Sequence, residues 1–343
     1  MNPMNKPLFP AASFAELSAR IATLPKSDAI AVQAARIRQD SLTKPAGSLG
    51  RLEELAIFMA GWQGLEKPKL EKAQALVFAG NHGVCAKGVN PFPQEVTAQM
   101  VANFTHGGAA INQLCKANGA ELSVIALDLD RPTADISEGP AMSEAETLDA
   151  MARGAAAVDP SADVLLLGEM GIGNSTIAAA LAAGTFGGSG AEWAGPGTGS
   201  DENGISLKAR VVDQAVARNE NTLSDPLALL AALGGREQAA ICGAVLEARQ
   251  NRIPVILDGF ICTASAAPLS RFDGVLDHCI AGHVSAEPGH RRLLEKLGKE
   301  PVLSLAMRLG EGSGAAVALS VLRSAVACHS GMATFAEAGV AGG

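Results

Sequence analysis

The sequence predicts an α/β fold built around a parallel β-sheet. Short, continuously apolar runs alternate along the chain with Ala-rich stretches of helical periodicity, which is typical of strand–helix–strand units with right-handed crossovers. The first run has the sequence ALVFA at residues 75–79 and is closed by the turn GNHG at residues 80–83. A strand that is buried on both faces has no polar side, so this pattern indicates a parallel sheet covered by helices.

The region before residue 70 predicts helices only. The apolar side chains at helical spacing are Phe14, Leu17 and Ile21, and then Ile30, Ala34 and Ile37. Pro25 separates the two sets, so we expect two helices that bury these side chains. After the turn-rich segment 44–50, a third amphipathic stripe over residues 52–59 predicts a helix that ends at Gly61 or Gly64.

The remaining elements follow in alternation. Further strands are predicted at residues 122–127, 164–167 and 255–257, and at 275–280 or 302–305. Helices are predicted at residues 94–117, 144–157, 176–183, 206–219 and 235–250, with a helical C-terminal region at 314–327 and 331–340. Ligands of parallel sheets bind beyond the carboxyl ends of the strands, which directs attention to the loops at residues 80–83, 168–175 and 258–265.

Composition limits the classes of function. The chain has 343 residues, 48% hydrophobic and 18% charged, which is enough for a large α/β domain and a smaller appended unit. A formal net charge of −8 argues against a nucleic-acid partner, because such proteins need Lys and Arg to neutralise phosphates. We find no signal sequence and no apolar stretch of membrane-spanning length, so we expect a cytoplasmic protein. The six cysteines form no C-x-x-C pair and are expected to be buried without disulfides.

The segment GEMGIGNST at residues 168–176 follows a predicted strand and opens an Ala-rich helix. Glycines let backbone N–H groups approach an anion, and the helix N-terminus adds its dipole and free donors. This segment therefore predicts a phosphate-binding loop, with a plain strand-to-helix connector as the alternative. Glu169 is unusual in such a loop, because a carboxylate repels a phosphate unless it faces another part of the ligand.

Two further glycine-rich segments carry candidate site residues. The sequence GPGTGSD at residues 195–201 offers a second nest of amides, with Lys208 seven residues later as a cation for a phosphate. A flexible surface loop and a solvated lysine are the alternative. The sequence LGEGSGAA at residues 309–316 isolates Glu311 among glycines directly before a helix. Partial desolvation there would raise the carboxyl pKa toward the range of a general base, and the alternative is a helix-capping acid.

The histidines and the familiar nucleotide motifs do not indicate a metal site. His82, His278, His283 and His290 lack the H-E-x-x-H spacing that places two imidazoles on one helical face. The chain also has no P-loop sequence and no G-x-S-x-G nucleophile elbow. We therefore expect neither a metal nor another cofactor.

Six short motifs, in their order and spacing, resemble the nicotinate-nucleotide:dimethylbenzimidazole phosphoribosyltransferase family. They are SLTKPAGSLGRLE (41–53), NHGV (81–84), PQEVT (93–97), GEMGIGNST (168–176), LDGF (257–260) and LGEGSG (309–314). The resemblance covers roughly residues 40–340. It implies a Rossmann-like parallel sheet with helices on both faces, plus a small helical domain from both chain ends. We expect residues 1–70 and 315–343 in the small domain, residues 71–314 in the large domain, and a homodimer.

The resemblance also assigns site residues. It places the general base at Glu311 and a second active-site acid at Glu169. The candidate substrate-binding residues are Gly171, Gly173, Asn174, Ser175, Lys208, Ser285, Gly312 and Gln94. Among them, Ser285 and the two loop glycines are expected at the phosphate and ribose of a nucleotide, and Gln94 beside the pocket of the base. The residues around Ala86 are expected to shape that same pocket.

The implied reaction moves phosphoribosyl from nicotinate mononucleotide to 5,6-dimethylbenzimidazole during assembly of a cobamide lower ligand, giving α-ribazole 5′-phosphate. Nicotinate leaves as a neutral ring nitrogen, so its departure requires neither an acid nor a metal. Glu311 accepts the N–H proton of the benzimidazole while the second ring nitrogen attacks C1′. The preferred base depends on the shape of the pocket.

Two other functions stay open on the residues alone. The apolar run that ends at Asp258 resembles a strand of a Mg-diphosphate-type phosphoribosyltransferase, although a metal–diphosphate site normally uses more carboxylates. A non-catalytic nucleotide-binding sensor would use Glu169 and Glu311 as structural acids. Activity that survives EDTA would exclude the first alternative, and release of free nicotinate would exclude the second.

Overall fold

The computed structural model describes residues 7–341, in which a six-stranded sheet is covered by helices. The strands are β1 Ala73–Ala79, β2 Ala120–Ala126, β3 Val164–Met170, β4 Val255–Leu257, β5 Cys279–His283 and β6 Pro301–Leu303. The helices are α1 Phe14–Ile21, α2 Ala29–Ser41, α3 Arg51–Gln63, α4 Glu95–Thr105, α5 Ala110–Asn118, α6 Glu144–Ala156, α7 Asn174–Phe186, α8 Gly190–Trp193, α9 Glu202–Arg218, α10 Pro226–Leu233, α11 Arg236–Gln250, α12 Phe260–Ala266, α13 Pro288–Leu297, α14 Ser313–Gly331 and α15 Phe335–Ala338.

The sheet is parallel throughout, with strand order β2-β1-β3-β4-β5-β6. The order reverses between β1 and β3, so the loops that follow these two strands diverge. In doubly wound sheets this switch point opens a crevice at the carboxyl ends of the strands, where ligands bind. The predicted α/β fold with a Rossmann-like parallel sheet is confirmed.

Side chains of each central strand alternate between two hydrophobic cores, one on each face of the sheet. Leu165 and Leu167 of β3 pack with helices α6, α7, α10, α11 and α12. Val164 and Leu166 pack on the other face with α3, α5 and α14. Burial of each such aliphatic side chain stabilises the fold by roughly 1.5–3 kcal/mol. The continuous hydrophobicity of the strands therefore results from helices on both faces.

Several predicted boundaries need correction. The strand expected at 275–280 begins only at Cys279, the one expected at 302–305 ends at Leu303, and both are present as β5 and β6. The single helix predicted over 94–117 is wrong, because it divides into α4 and α5 around Gly107, whose φ of 78° cannot continue a helix. The C-terminal stretch predicted over 331–340 is helical only at Phe335–Ala338.

The predicted orientation of α2 is also wrong. Ile30 and Ile37, expected to be buried, are 83% and 61% exposed. The buried face instead carries Ala31, Ala35 and Arg38. The long-range partners of Arg38 explain this orientation: its guanidinium donates to the carbonyls of His329 at 2.8 Å and Met332 at 2.9 Å, at the end of α14. Helix α2 thus turns its polar contacts inward and its isoleucines outward.

Helices α2 and α3 lie against the C-terminal helix, whereas α1 packs in the core on the other face of the sheet. Leu42 forms an antiparallel bridge with Thr334, and α3 packs against α14. Helix α14 also packs on β3, β4 and β5, so the same helix covers one face of the sheet. The division into a small domain from both chain ends and a large domain stays a prediction. Within residues 7–341, no helix combines the length and the apolar content needed to cross a bilayer.

Candidate active site

A cleft opens at the carboxyl ends of the strands, as the topology requires. Its empty space, including open solvent at the mouth, is about 820 Å³. Its walls are residues 90–92, 169–175, 258–261 and 308–311, together with Gly197, Thr198, Lys208, His283, Ser285 and Glu287. The loops after β3, β4, β5 and β6 therefore build most of one site.

Most of the predicted site residues meet in this cleft. Those that line it are Glu169, Gly171, Gly173, Asn174, Ser175, Lys208, Ser285 and Glu311. Gln94 and Gly312 are outside its lining. The Gln94 side chain donates to the carbonyl oxygen of His82, and the Gly312 amide donates to the carboxylate of Asp258. Ala86 is exposed and also lies outside the lining.

The glycine-rich loop after β3 presents the N-terminus of α7 to the cleft. Gly173 is the N-cap residue with φ of 88°, and a Cβ there would come within 2.6 Å of Cys85 Sγ. Both facts require glycine. Residues 171–175 line the cleft, so the N-terminus of α7 faces it, and the positive end of the helix dipole favours an anion there.

Lys208 lies beside this helix end and is only 2% exposed. Its ammonium contacts three uncharged oxygens: Ser175 Oγ at 3.3 Å, the Pro196 carbonyl at 3.3 Å and the Gly195 carbonyl at 3.4 Å. Burial lowers the pKa of Lys208, and the carboxyl of Glu287 opposes that shift. The alternative of a solvated lysine beside a flexible surface loop is therefore not what the structure shows, because Lys208 of α9 is buried and donates to the carbonyls of that loop.

Glu169 is a buried acid that pairs with the helix start. It is 5% exposed and accepts a hydrogen bond from the Asn174 side-chain amide. Burial, reinforced by the charge of Asp258, raises the pKa of Glu169 to about 8. The carboxyl is therefore mostly neutral at pH 7, which removes the repulsion expected between an acid and a phosphate in this loop.

Glu311 occupies a tight turn before α14. It has a φ of 63°, rare for a non-glycine residue, and only 6% of it is exposed. The backbone amide of Ile111, at the start of α5, bonds its carboxylate, whereas Oε2 has no hydrogen-bond partner within the described residues. Burial raises the pKa of Glu311, and Asp258 adds to the shift. One oxygen is held by an amide, and the other is buried without a hydrogen-bond partner in the described part of the chain.

The turn of Glu311 packs directly on β3. A Cβ on Gly168 would come within 2.5 Å of the Gly312 nitrogen and 2.6 Å of the Glu311 oxygen, both backbone atoms. Only glycine permits this approach. On the other side, a Cβ on Gly310 would meet Glu169 Oε1 at 2.4 Å, so the turn also contacts the second acid.

Comparison with known proteins agrees with this geometry. A family profile described as "Phosphoribosyltransferase" matches residues 24–340. The nicotinate-nucleotide–dimethylbenzimidazole phosphoribosyltransferase of Rhodobacter capsulatus is 60% identical over 329 residues, covering 96% of this chain and 98% of that protein. The chain belongs to this phosphoribosyltransferase family. The enzyme of the same name from Novosphingobium aromaticivorans is 60% identical over 333 residues, covering 97% of this chain and 98% of the relative.

Solved structures of the phosphoribosyltransferase family share the fold. The crystal structure of nicotinate-nucleotide–dimethylbenzimidazole phosphoribosyltransferase from Thermus thermophilus superposes with a TM-score of 0.86 at 41% identity, covering 92% of this chain and 100% of that one. A crystal structure of CobT from the same organism gives 0.83 at 42% identity, with the same coverage.

The structure adds site residues that sequence reasoning missed. Glu287 and Arg308 line the cleft near the Gly197 loop, and Arg308 donates to the Gly197 carbonyl at 2.9 Å. Burial raises the pKa of Glu287, and Lys208 and Arg308 oppose the shift. Their only sequence signal was proximity to the predicted residues Ser285 and Glu311.

A second missed group lies under the glycine loop. His82 Nε2 is 2.6 Å from Glu237 Oε1, and both side chains are fully buried. A Cβ on Gly171 would come within 2.9 Å of the Glu237 carboxylate and 3.1 Å of the His82 ring. This pair therefore supports the loop from below. His82 was noted in the sequence, but its partner is 155 residues away.

Asp258 and His283 also line the cleft. The sequence marked Asp258 only as the acid of the alternative diphosphate site, and His283 only as a histidine without metal-ligand spacing. Burial raises the pKa of Asp258, opposed by His283 and by backbone amides at the start of α14. Within residues 7–341, no group of three or more His, Cys, Asp and Glu side chains is placed to hold a metal ion.

Proposed function

We propose that this chain transfers the phosphoribosyl group of nicotinate mononucleotide to 5,6-dimethylbenzimidazole, as its family membership indicates, and so serves in assembly of a cobamide lower ligand. The observation that carries the proposal is Glu311: a buried carboxylate with one oxygen fixed by an amide and the other without a partner among the described residues. It shares a cleft with the anion-binding end of α7.

The nucleotide phosphate binds at the start of α7. Lys208, Ser175 and the helix dipole supply positive charge and donors there, with Ser285 on the facing loop. A neutral Glu169 can donate a hydrogen bond to the substrate without repelling its phosphate. Two of these groups, Lys208 and Glu169, are held by burial before the substrate arrives, which lowers the entropy cost of binding.

The benzimidazole binds between two apolar side chains at the mouth. Phe92 and Leu309 both line the cleft, yet they are 46% and 50% exposed. Large apolar side chains left exposed in a cleft are typical of ligand contact, and a flat aromatic base offers two faces to cover them. Leu309 is two residues before Glu311, so the N–H of a base held there lies near the carboxylate.

Catalysis then needs one proton transfer and one displacement. Glu311 accepts the N–H proton of the base, and the freed electron pair makes the other ring nitrogen a better nucleophile toward C1′. The bond from C1′ to the pyridinium nitrogen breaks, and nicotinate leaves with that electron pair as a neutral ring. Attack opposite the leaving group converts a β-nucleotide into an α-product. Holding both substrates in one cleft supplies several kcal/mol of the barrier reduction.

The proposal extends to the quaternary state and the location of the protein. We propose a homodimer in the cytoplasm, supported by the outward isoleucines Ile30 and Ile37 on α2, which a second copy would cover. The net charge of −8 supports partners that are small molecules rather than nucleic acids. Neither nicotinate mononucleotide nor dimethylbenzimidazole requires a metal bridge to these side chains.

The direct test is incubation of the purified protein with both substrates, followed by chromatography for free nicotinate and α-ribazole 5′-phosphate. Equal amounts of the two products are expected, with and without EDTA. Loss of activity in EDTA that Mg²⁺ restores would favour the Mg-diphosphate type. Substrate binding without either product would favour a sensor.

A further inference from the structure

The turn that carries Glu311 needs support from outside itself. Gly310, Glu311 and Gly312 have consecutive φ values of 83°, 63° and 84°. Glycine adopts this region freely, but glutamate adopts it at a cost in free energy, so its neighbours must hold it there. The turn is also the start of α14, where Gly312 is the N-cap residue and brings no side chain to bind the first amides.

Asp258, the first residue after β4, binds those amides instead. Its Oδ2 accepts from the Gly312 amide at 3.2 Å, and its Oδ1 accepts from the Ala315 amide at 2.9 Å. The side chain is 1% exposed. Asp258 thus does for α14 what a local capping residue does for most helices, although it is 54 residues away from Gly312 in the chain.

His283 lies beside the carboxylate of Asp258. Its Nε2 is 3.7 Å from Asp258 Oδ1, and the ring is 2% exposed. The ring also lies against the start of α14, because a Cβ on Gly314 would come within 2.0 Å of His283 Cδ2. The carboxylate therefore has little room to rotate away from the two amides.

We propose that Asp258 is a positioning residue for the general base: by binding the first amides of α14 it holds the Glu311 turn and aims the Glu311 carboxylate at the base. This inference rests on the proposed function, because it assigns a role within that reaction. Asp258 acts through Glu311, so its removal matters only while Glu311 is able to accept a proton.

The variant Asp258→Asn tests this role with almost no change in size. Its amide NH₂ group must face one of two N–H donors, so one bond is replaced by a repulsive contact. We expect kcat to fall roughly 10- to 100-fold, with the KM for nicotinate mononucleotide changed less than about threefold, because a misaimed base slows proton transfer more than it weakens binding. Hydrogen exchange of residues 310–316 should become faster.

The decisive measurement is a double-mutant cycle with Glu311→Gln. Turnover is monitored as release of radiolabelled nicotinate, so that slow variants stay measurable. In the Glu311→Gln background, Asp258→Asn should cost less than about threefold in kcat. An equal loss in both backgrounds would show that Asp258 acts independently and would overturn the inference. A loss confined to the KM for the nucleotide would also overturn it, because that result assigns Asp258 to substrate binding.

Asp163→Ala is the control. Asp163 also accepts from two backbone amides, those of Glu71 and Lys72 at 2.8 Å each, but it precedes β3 at the amino ends of the strands, away from the cleft. Both amides bond to one oxygen, Oδ2, which an Asn could replace, so Ala is needed to remove the two bonds. The variant should lower the melting temperature and leave kcat unchanged. If Asp258→Asn does not fold, His283→Asn takes its place and should give a smaller loss of kcat with the same dependence on Glu311. If His283→Asn leaves kcat unchanged, the inference is overturned. Wild-type protein without turnover would instead contradict the proposed function.

Discussion

At the scale of single residues, burial sets the protonation of the acids in the cleft. Glu169 and Glu311 both have raised pKa values because they are removed from water, and each also feels the charge of Asp258. Their hydrogen bonds differ: Glu169 accepts from the Asn174 side chain, and Glu311 from a backbone amide at the start of α5. These surroundings suit Glu169 to a neutral, donating role and Glu311 to proton acceptance.

The raised pKa of Glu169 predicts a pH-dependent stability. The folded carboxyl keeps its proton up to about pH 8, whereas the unfolded one loses it near the ordinary value of 4.5. The folded state thus binds more protons between these limits, and the free energy of unfolding falls as pH rises through them. Glu169→Gln cannot ionise, so its melting temperature relative to wild type should increase between pH 6 and pH 9.

A control for this prediction is Glu337→Gln at the exposed end of the chain. The pKa of Glu337 is lowered, chiefly by the Thr334 amide, so the acid is ionised in both states above pH 6. Its difference in melting temperature from wild type should not change over that range. A constant difference for Glu169→Gln as well would show that Glu169 does not hold a proton.

Lys208→Ala should weaken the binding of nicotinate mononucleotide. Loss of a charge-assisted phosphate bond costs roughly 1.5–3 kcal/mol, or about a 10- to 150-fold increase in KM, with a smaller effect on kcat. Lys299→Ala is the control, because Lys299 is also partly buried and donates to the carbonyls of Leu276 and Cys279 away from the cleft. That control should lose stability alone. Unchanged kinetics in Lys208→Ala would refute the phosphate assignment.

At the scale of elements, β3 and the start of α14 form one unit. Gly168 allows the turn of residues 310–312 to lie against the strand, and the same turn touches Glu169. The two acids of the cleft are therefore positioned by one backbone contact between a strand and a loop that are far apart in the chain. A strand residue without a side chain thus controls the geometry of the loop that carries Glu311.

Gly168→Ala should displace that loop. The added methyl meets backbone atoms of Glu311 and Gly312 that cannot rotate away, which should cost about 1–3 kcal/mol in stability and lower kcat at least about tenfold. Gly139→Ala is the matched control, since a Cβ there meets nothing within 4 Å. Normal turnover in Gly168→Ala would mean that the loop tolerates a shift.

The contrast between local and long-range features explains which parts of the site the sequence predicted. The loops at 168–176 and 309–316 were predictable, because glycines before a helix start are visible in the sequence itself. The capping by Asp258 was not, because it depends on amides 54 and 57 residues away. The neutral state of Glu169 likewise depends on burial and on Asp258, which no neighbouring residue reveals.

The same contrast holds for the fold. The central strands were predictable because helices on both faces make them continuously apolar, and the strands at the far edge, β5 and β6, were placed least well. Helix α2 has apolar periodicity on a face that the structure leaves exposed, because contacts of Arg38 with the end of α14 decide its orientation. Periodicity reports that a face is apolar, and not what covers it.

At the scale of the whole molecule, α2 lies against the end of α14 and leaves apolar side chains on its outer face. Ile30 and Ile37 are seven residues, or about two helical turns, apart on the exposed side of α2, which suits a contact between two copies of the chain. The division of the chain into residues 1–70 with 315–343 and residues 71–314 would then separate an assembly region from most of the site. That division stays a prediction.

Ile30→Lys with Ile37→Lys should convert a dimer into a monomer. Two lysines on the same face of each copy would bury charges without partners, which a dimer interface does not tolerate. Light scattering during size exclusion should give twice the chain mass for wild type and the single chain mass for the variant. Leu65→Lys, at another exposed apolar position, should remain dimeric. A variant that stays dimeric would assign the interface to another face.

The most direct test of the account compares Glu311→Gln with Glu169→Gln at saturating nicotinate mononucleotide and dimethylbenzimidazole. Glutamine keeps the size and the hydrogen bonds of glutamate but cannot accept the proton. Turnover of Glu311→Gln should fall by about 10²–10⁴-fold, the usual contribution of a general base, while the KM for both substrates barely changes. If Glu311→Gln retains near wild-type turnover while Glu169→Gln is inactive, Glu311 is not the base.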